Sequence, residues 1–128
     1  MVPTRSSRLI AGLVLAGVTL PALAADRPDP FVAAGKPVDC IQLRAIRSTN
    51  VRDDRTIDFV TGNRKIYRNT LPYSCPSLGF EKRFAYRTSL SQLCSVDIIT
   101  VLWNNGPGLH PGASCGLGQF QPMEKPAT

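Results

Sequence analysis

The sequence predicts a mainly β domain: a small antiparallel barrel or rolled sheet of five to six strands, stapled by two disulfides. Three observations carry that expectation. Apolar and polar residues alternate over short runs, the period of a half-buried strand. Gly, Pro, Asn and Ser punctuate those runs, and no apolar pattern of helical period lasts three turns. Four cysteines, Cys40, Cys75, Cys94 and Cys115, are spread through a chain of 128 residues, a length that supports one modest core.

Residues 1–24 read as a secretory signal. Arg5 and Arg8 precede an uncharged run over 9–20, and Pro21-Ala22-Leu23-Ala24 supplies the small-x-small pattern read by signal peptidase. The run is too short for a stable bilayer-spanning helix. Cleavage after Ala24 is therefore expected, with no membrane span in the remainder and a periplasmic or secreted destination. Loss of Arg5 and Arg8 lowers the net charge of +6 by two.

An even number of cysteines in a small exported domain reads as structural disulfides. Spacings of 35, 19 and 21 residues contain no Cys-x-x-Cys pair, so neither a redox centre nor a metal site is expected. Three pairings are open. The nested one, Cys40–Cys115 with Cys75–Cys94, is slightly favoured, because the first and last strands of a small barrel are often neighbours. The interleaved one, Cys40–Cys94 with Cys75–Cys115, stands close behind.

Residues 25–38 hold Pro28, Pro30, Gly35 and Pro37 and read as a flexible leader, with Phe31 and Val32 able to dock. A single β domain spans 39–123, and 124–128 form a tail. Residues 40–46 read as a strand and 48–54 as a polar turn. Residues 56–60 place Ile57 and Phe59 on one face, and Thr56, Asp58 and Val60 on the other. Thr61-Gly62-Asn63 then turns the chain into 64–68, the clearest hairpin in the sequence.

Residues 71–79 form an irregular loop pinned by Cys75. A half-exposed strand follows over 83–88, with Phe84, Tyr86 and Thr88 opposite Arg83, Ala85 and Arg87. Residues 89–93 suggest one helical turn. The β-branched, apolar stretch 96–103 suggests a central strand. Residues 104–114, with three Gly and two Pro, read as a flexible loop. Residues 115–123 close the domain as an edge strand, where Gly116 and Gly118 mark a bulge or the close approach of another backbone.

Several fragments stand in a recognisable order: Cys40-Ile41, 53–59 (DDRTIDF), 67–71 (YRNTL), 75–78 (CPSL), 84–86 (FAY), 93–98 (LCSVDI) and 115–120 (CGLGQF). In this ordered frame, over residues 38–121, the chain resembles a bacterial family of small exported domains of unknown function, family number 6491. The resemblance implies an exported, periplasmic domain. It implies no activity and no catalytic residue.

The residues themselves offer little for catalysis. The only histidine, His110, lies in the Gly/Pro-rich loop without an orienting partner. Asp53 and Asp54 sit in a turn, where carboxylates bond nearby backbone amides. Asp97 lies among apolar residues and reads as a structural buried acid, satisfied by an Arg, a Tyr or the amides beside Cys94. Nucleophile-elbow, phosphate-loop and dinucleotide signatures are missing. No catalytic residue, cofactor or metal is assigned.

Basic residues crowd 44–68 (Arg44, Arg47, Arg52, Arg55, Arg64, Lys65, Arg68). Export argues against nucleic acid as their partner and points instead to an anionic envelope component or another periplasmic protein. The expected function is a non-enzymatic envelope or partner-binding protein, with Arg68, Tyr86 and Arg87 on its binding face. The competing reading is a small periplasmic enzyme or inhibitor using Asp97. If the disulfide frame is right, native exported protein exposes no free thiol to a maleimide in denaturant. Labelling of all four cysteines without reductant would overturn it.

Overall fold

Residues 12–17 and 29–126 are described by a computed structural model. The signal-peptide cleavage point at Ala24 lies outside the described residues. Ten strands and one short helix follow in order: β1 (Val32–Ala33), β2 (Cys40–Gln42), β3 (Ile46–Val51), β4 (Thr56–Thr61), β5 (Ile66–Thr70), α1 (Leu78–Glu81), β6 (Phe84–Tyr86), β7 (Gln92–Cys94), β8 (Ile98–Trp103), β9 (His110–Gly116) and β10 (Phe120–Glu124). They form three antiparallel sheets, ordered β1-β10-β5-β4-β3, β2-β7 and β6-β8-β9. The mainly β expectation stands. Among the described residues no barrel closes, and the expected five to six strands become ten.

The extra strands arise because turns divide the expected runs. Residues 40–46 split at a 3-10 turn over Leu43–Ala45. The polar stretch 48–54 begins as the second half of β3, since an edge strand can expose polar side chains on both faces. No helical turn forms over 89–93. Residues 92–94 instead pair with β2, and Thr88 Oγ1 donates to the Gln92 carbonyl at 3.1 Å. The 104–114 loop shortens because His110 pairs with Trp103 as β9 begins. Gly112 permits this: a Cβ there would lie 2.2 Å from Trp103 Nε1. Nor is the terminal segment an edge. Cys115 and Gly116 end β9, while β10 lies between β1 and β5. The segment expected to be a flexible leader supplies β1, which pairs with β10.

The hairpin forms as expected. β4 and β5 pair in continuous register, from Thr56↔Thr70 to Val60↔Ile66. Asn63 and Arg64 take the left-handed conformation between them. Alternation sends Ile57 and Phe59 inward, where both are fully buried. Phe59 meets Phe120 edge-on at 5.4 Å and Phe84 at 6.1 Å. Ile41 and Leu93 from the two-stranded sheet, and Ile99 and Val101 from β8, complete a core shared by all three sheets.

The disulfides are interleaved, Cys40–Cys94 and Cys75–Cys115, so the preferred nested pairing is corrected. The strands expected to be neighbours, those carrying Cys40 and Cys115, do not pair: β2 pairs with β7 and β9 with β8, while the pairing of β1 with β10 involves no cysteine. Cys40 and Cys94 face each other directly across β2 and β7, with Cα atoms 4.0 Å apart. Cys75 ties the irregular 71–79 loop to β9. Separations of 54 and 40 residues correspond to about 4 kcal/mol per bridge in the chain-entropy description.

Gly118 meets another backbone, as the sequence suggests, whereas a Cβ at Gly116 would meet nothing within 4 Å. A Cβ at Gly118 would lie 2.3 Å from the Thr70 carbonyl oxygen. Buried Asn69 reaches across the same gap, donating Nδ2–H to the Gly118 carbonyl at 2.7 Å and accepting the Gly118 N–H at 2.8 Å. Non-reducing peptide mapping should therefore recover the interleaved bridges alone. Phe59→Ala should cost about 3–5 kcal/mol of unfolding free energy. Gly118→Ala should also lower the melting temperature, and an unchanged value would contradict the close approach.

Candidate functional site

Arg68 lies on β5, in the five-stranded sheet, whereas Tyr86 ends β6 and Arg87 follows it in the three-stranded sheet. The expected common face of these three residues therefore does not form. Arg68 is committed elsewhere. It sits opposite Asp58 in the β4–β5 register, donating Nε–H to Oδ1 at 2.8 Å and Nη2–H to Oδ2 at 3.0 Å. Arg52 donates Nε–H to the same Oδ2 at 2.5 Å. Asp29 closes the cluster through Arg68 Nη1, and the Phe31 ring lies 5.7 Å from the Arg52 guanidinium carbon.

This cluster also corrects the buried acid. Asp58 is 2% exposed and two guanidinium groups satisfy its carboxylate. Asp97 is half-exposed and sits in the turn after β7, where its carboxylate accepts the Cys94 N–H at 2.7 Å. The anticipated partner, an amide beside Cys94, is correct, but the turn takes Asp97 out of the core before β8 begins. The signal for Asp58 was present in the sequence: an acid at the centre of an alternating strand, with arginines within strand-pairing distance on both sides.

The basic run is less free than its composition implies. Arg52 and Arg68 serve Asp58, while Arg55 donates to the carbonyls of Leu71 and Pro72 at 2.7 and 3.1 Å. Asp53 accepts the Arg55 N–H and Asp54 the Gly79 N–H, so both act as turn carboxylates. His110 is exposed on β9. Among the described residues, no group of three His, Cys, Asp or Glu stands close enough to hold a metal ion.

Two grooves flank β6. The outer one, about 550 Å³, lies over the solvent face of the three-stranded sheet. β8 turns Ile99 and Val101 to the core, so alternation leaves Ile98, Thr100 and Leu102 outward. Ala85, Tyr86, Arg87 and Pro111 complete its lining. Ile98 is 57% exposed, and Val96 beside it 85%. The second groove, about 500 Å³, runs between the edge of β3 and the edge of β6. Its floor holds Ile46, Phe84, Tyr86, Leu102 and Leu109, and Arg47, Lys82 and Arg83 rim it. Tyr86 and Leu102 border both grooves.

Volumes of this order suit a ligand or a peptide side chain, but the two linings contain neither a carboxylate nor a histidine. The grooves offer apolar contact and positive charge. No known protein family, curated protein or solved structure matches the chain.

The charge cluster has a pH signature. Its hydrogen bond from Arg68 holds the Asp29 carboxyl below the usual carboxylate value. The folded form binds that proton more weakly than the unfolded chain, so the contact stabilises above about pH 3.9 and is lost as pH falls through the lower folded value. Asp29→Asn should therefore lower the melting temperature at neutral pH, with the gap closing in strong acid. Asp58→Asn should cost about 2–3 kcal/mol, because two guanidinium groups lose their charged acceptor.

Proposed function

We propose that this chain is an exported, non-enzymatic binding module whose partner seats on the three-stranded sheet around β6. The observation that carries this reading is the outward row Ile98, Thr100 and Leu102 beside Tyr86 and Arg87, a largely apolar strip with a cationic margin lining one groove. Contiguous apolar strips of this kind characterise partner surfaces in small soluble domains. Two disulfides fit an oxidising compartment, and among the described residues no helix is long and apolar enough to cross a membrane. The signal-like residues 1–24 and the resemblance to the exported bacterial family point to the periplasm as that compartment. A rolled, incompletely closed barrel is the shape that suits the edge groove between β3 and β6. The partner is another periplasmic protein or an anionic envelope component. The reading of an enzyme or inhibitor built on Asp97 finds no support, since that carboxylate caps a surface turn.

Immobilised mature protein should retain one component of a bacterial periplasmic or envelope extract saturably. Ile98→Glu, which places a charge on the exposed strip, should weaken retention at least tenfold without changing the melting temperature. Retention that ignores this substitution, or that never saturates, overturns the proposal.

A further inference from the structure

Resting on the binding-module reading, we propose that the groove between β3 and β6 receives an extended acidic segment of the partner protein, which pairs with both strand edges. β3 and β6 are the outer strands of their sheets, and each has a single paired neighbour, β4 and β8 respectively. The direction of their free backbone groups follows from the ladders. Arg52 N–H bonds the Thr56 carbonyl at 2.9 Å. In an antiparallel ladder, bonded pairs recur at every second residue. Asn50 and Ser48, opposite Asp58 and Val60, therefore face β4, and the backbone of Thr49 faces the groove.

The edge across the gap is oriented in the same way. Leu102 N–H bonds the Arg83 carbonyl at 3.0 Å, so Ala85 faces β8 while Phe84 and Tyr86 direct their N–H and carbonyl groups to the open side. Two unpaired edges thus border one groove. A strand lying between them satisfies both, the β-augmentation mode of peptide recognition. Thr49 adds a second observation. It lies opposite Phe59, on the core side of its sheet, yet it is exposed, so the core side of β3 is uncovered at this seam.

Charge and pattern set the occupant. Among the described residues, Arg47 and Lys82 form no ion pair, and the pairing of Arg83 is a 3.3 Å contact with Glu81 at the surface. The groove floor is apolar and its rim cationic. A strand presents alternate side chains to opposite sides, so the complementary segment alternates apolar residues with Asp or Glu. The register shift between Ile46 and Ser48 leaves Arg47 as a bulged residue at the rim. Bulges limit indiscriminate edge pairing, which confines the added strand to the few residues opposite Thr49 and Phe84–Tyr86.

The test uses the full mature chain and three synthetic octapeptides: alternating glutamate and valine, alternating lysine and valine, and the glutamate peptide N-methylated at every second amide. The acidic peptide should bind, shift the amide resonances of Thr49, Phe84 and Tyr86, and slow their hydrogen exchange at least tenfold. Raising the salt from 50 to 500 mM should weaken binding several-fold, roughly as screening requires. Arg47→Glu and Thr49→Pro should each weaken it at least tenfold. The proline lies at a position whose N–H is not used by β4, and Arg47→Glu changes only a surface charge, so the two variants do not share a folding risk. Equal binding of the lysine peptide or of the N-methylated peptide overturns the proposal. So does failure of the acidic peptide to bind while extract retention remains sensitive to Ile98→Glu, an outcome that leaves the binding-module reading intact. Loss of both responses removes both.

Discussion

Edge-on packing of Phe59 against Phe84 and Phe120 is the contact on which the architecture rests. The three sheets do not share one hydrogen-bonded ladder, so side chains and crosslinks must hold them together. Phe59 and Phe120 belong to the five-stranded sheet and Phe84 to the three-stranded one. Ile41 and Leu93 bring the two-stranded sheet to the same core. Buried aromatic rings supply large apolar area with a geometric preference, which suits a domain whose sheets are too small to be stable separately. The disulfides act at a distance from this centre, one joining the strands of the smallest sheet and the other fixing the longest irregular loop.

The polar interior follows the same economy of parts. Asp58 is buried, but every strong donor near it is a guanidinium already placed by the sheet register. Asn69, on β5, uses its side-chain amide to hold Gly118 in the connection that leads into β10. No buried side-chain polar atom in the described residues lacks a partner. Such networks fix register, because a one-residue slip of β5 would carry Arg68 away from Asp58 and send Asn69 to the wrong face.

Elements set by local pattern were legible in the sequence: the 56–68 hairpin, the apolar strand within 96–103, the Cys75 loop, the turn carboxylates and the close approach at Gly118. What could not be read depended on distant pairing. β7 is a strand because β2 lies beside it, and β1 because β10 does. The disulfide pairing failed for a related reason. The expected neighbours were the strands carrying Cys40 and Cys115, whereas β2 pairs with β7 and β9 with β8. For the site, Tyr86 and Arg87 were legible as neighbours in an alternating segment, whereas Arg68 was read as free although the expected hairpin already put it on the strand beside Asp58; only the register that sets the two opposite each other was not read. The groove between β3 and β6 was not legible, because its two walls lie far apart in the chain; the outer groove depends on β6 and β8 pairing, which no local pattern specifies.

The position of β10 has a consequence for truncated chains. It is the last strand among the described residues, yet it lies second in the large sheet and contributes Phe120 to the core. A chain that stops at β9 lacks the strand that joins β1 to β5, so the large sheet is incomplete without residues 120–124. Without Phe120, Phe59 would lose its nearer aromatic partner and the interior would stand open there.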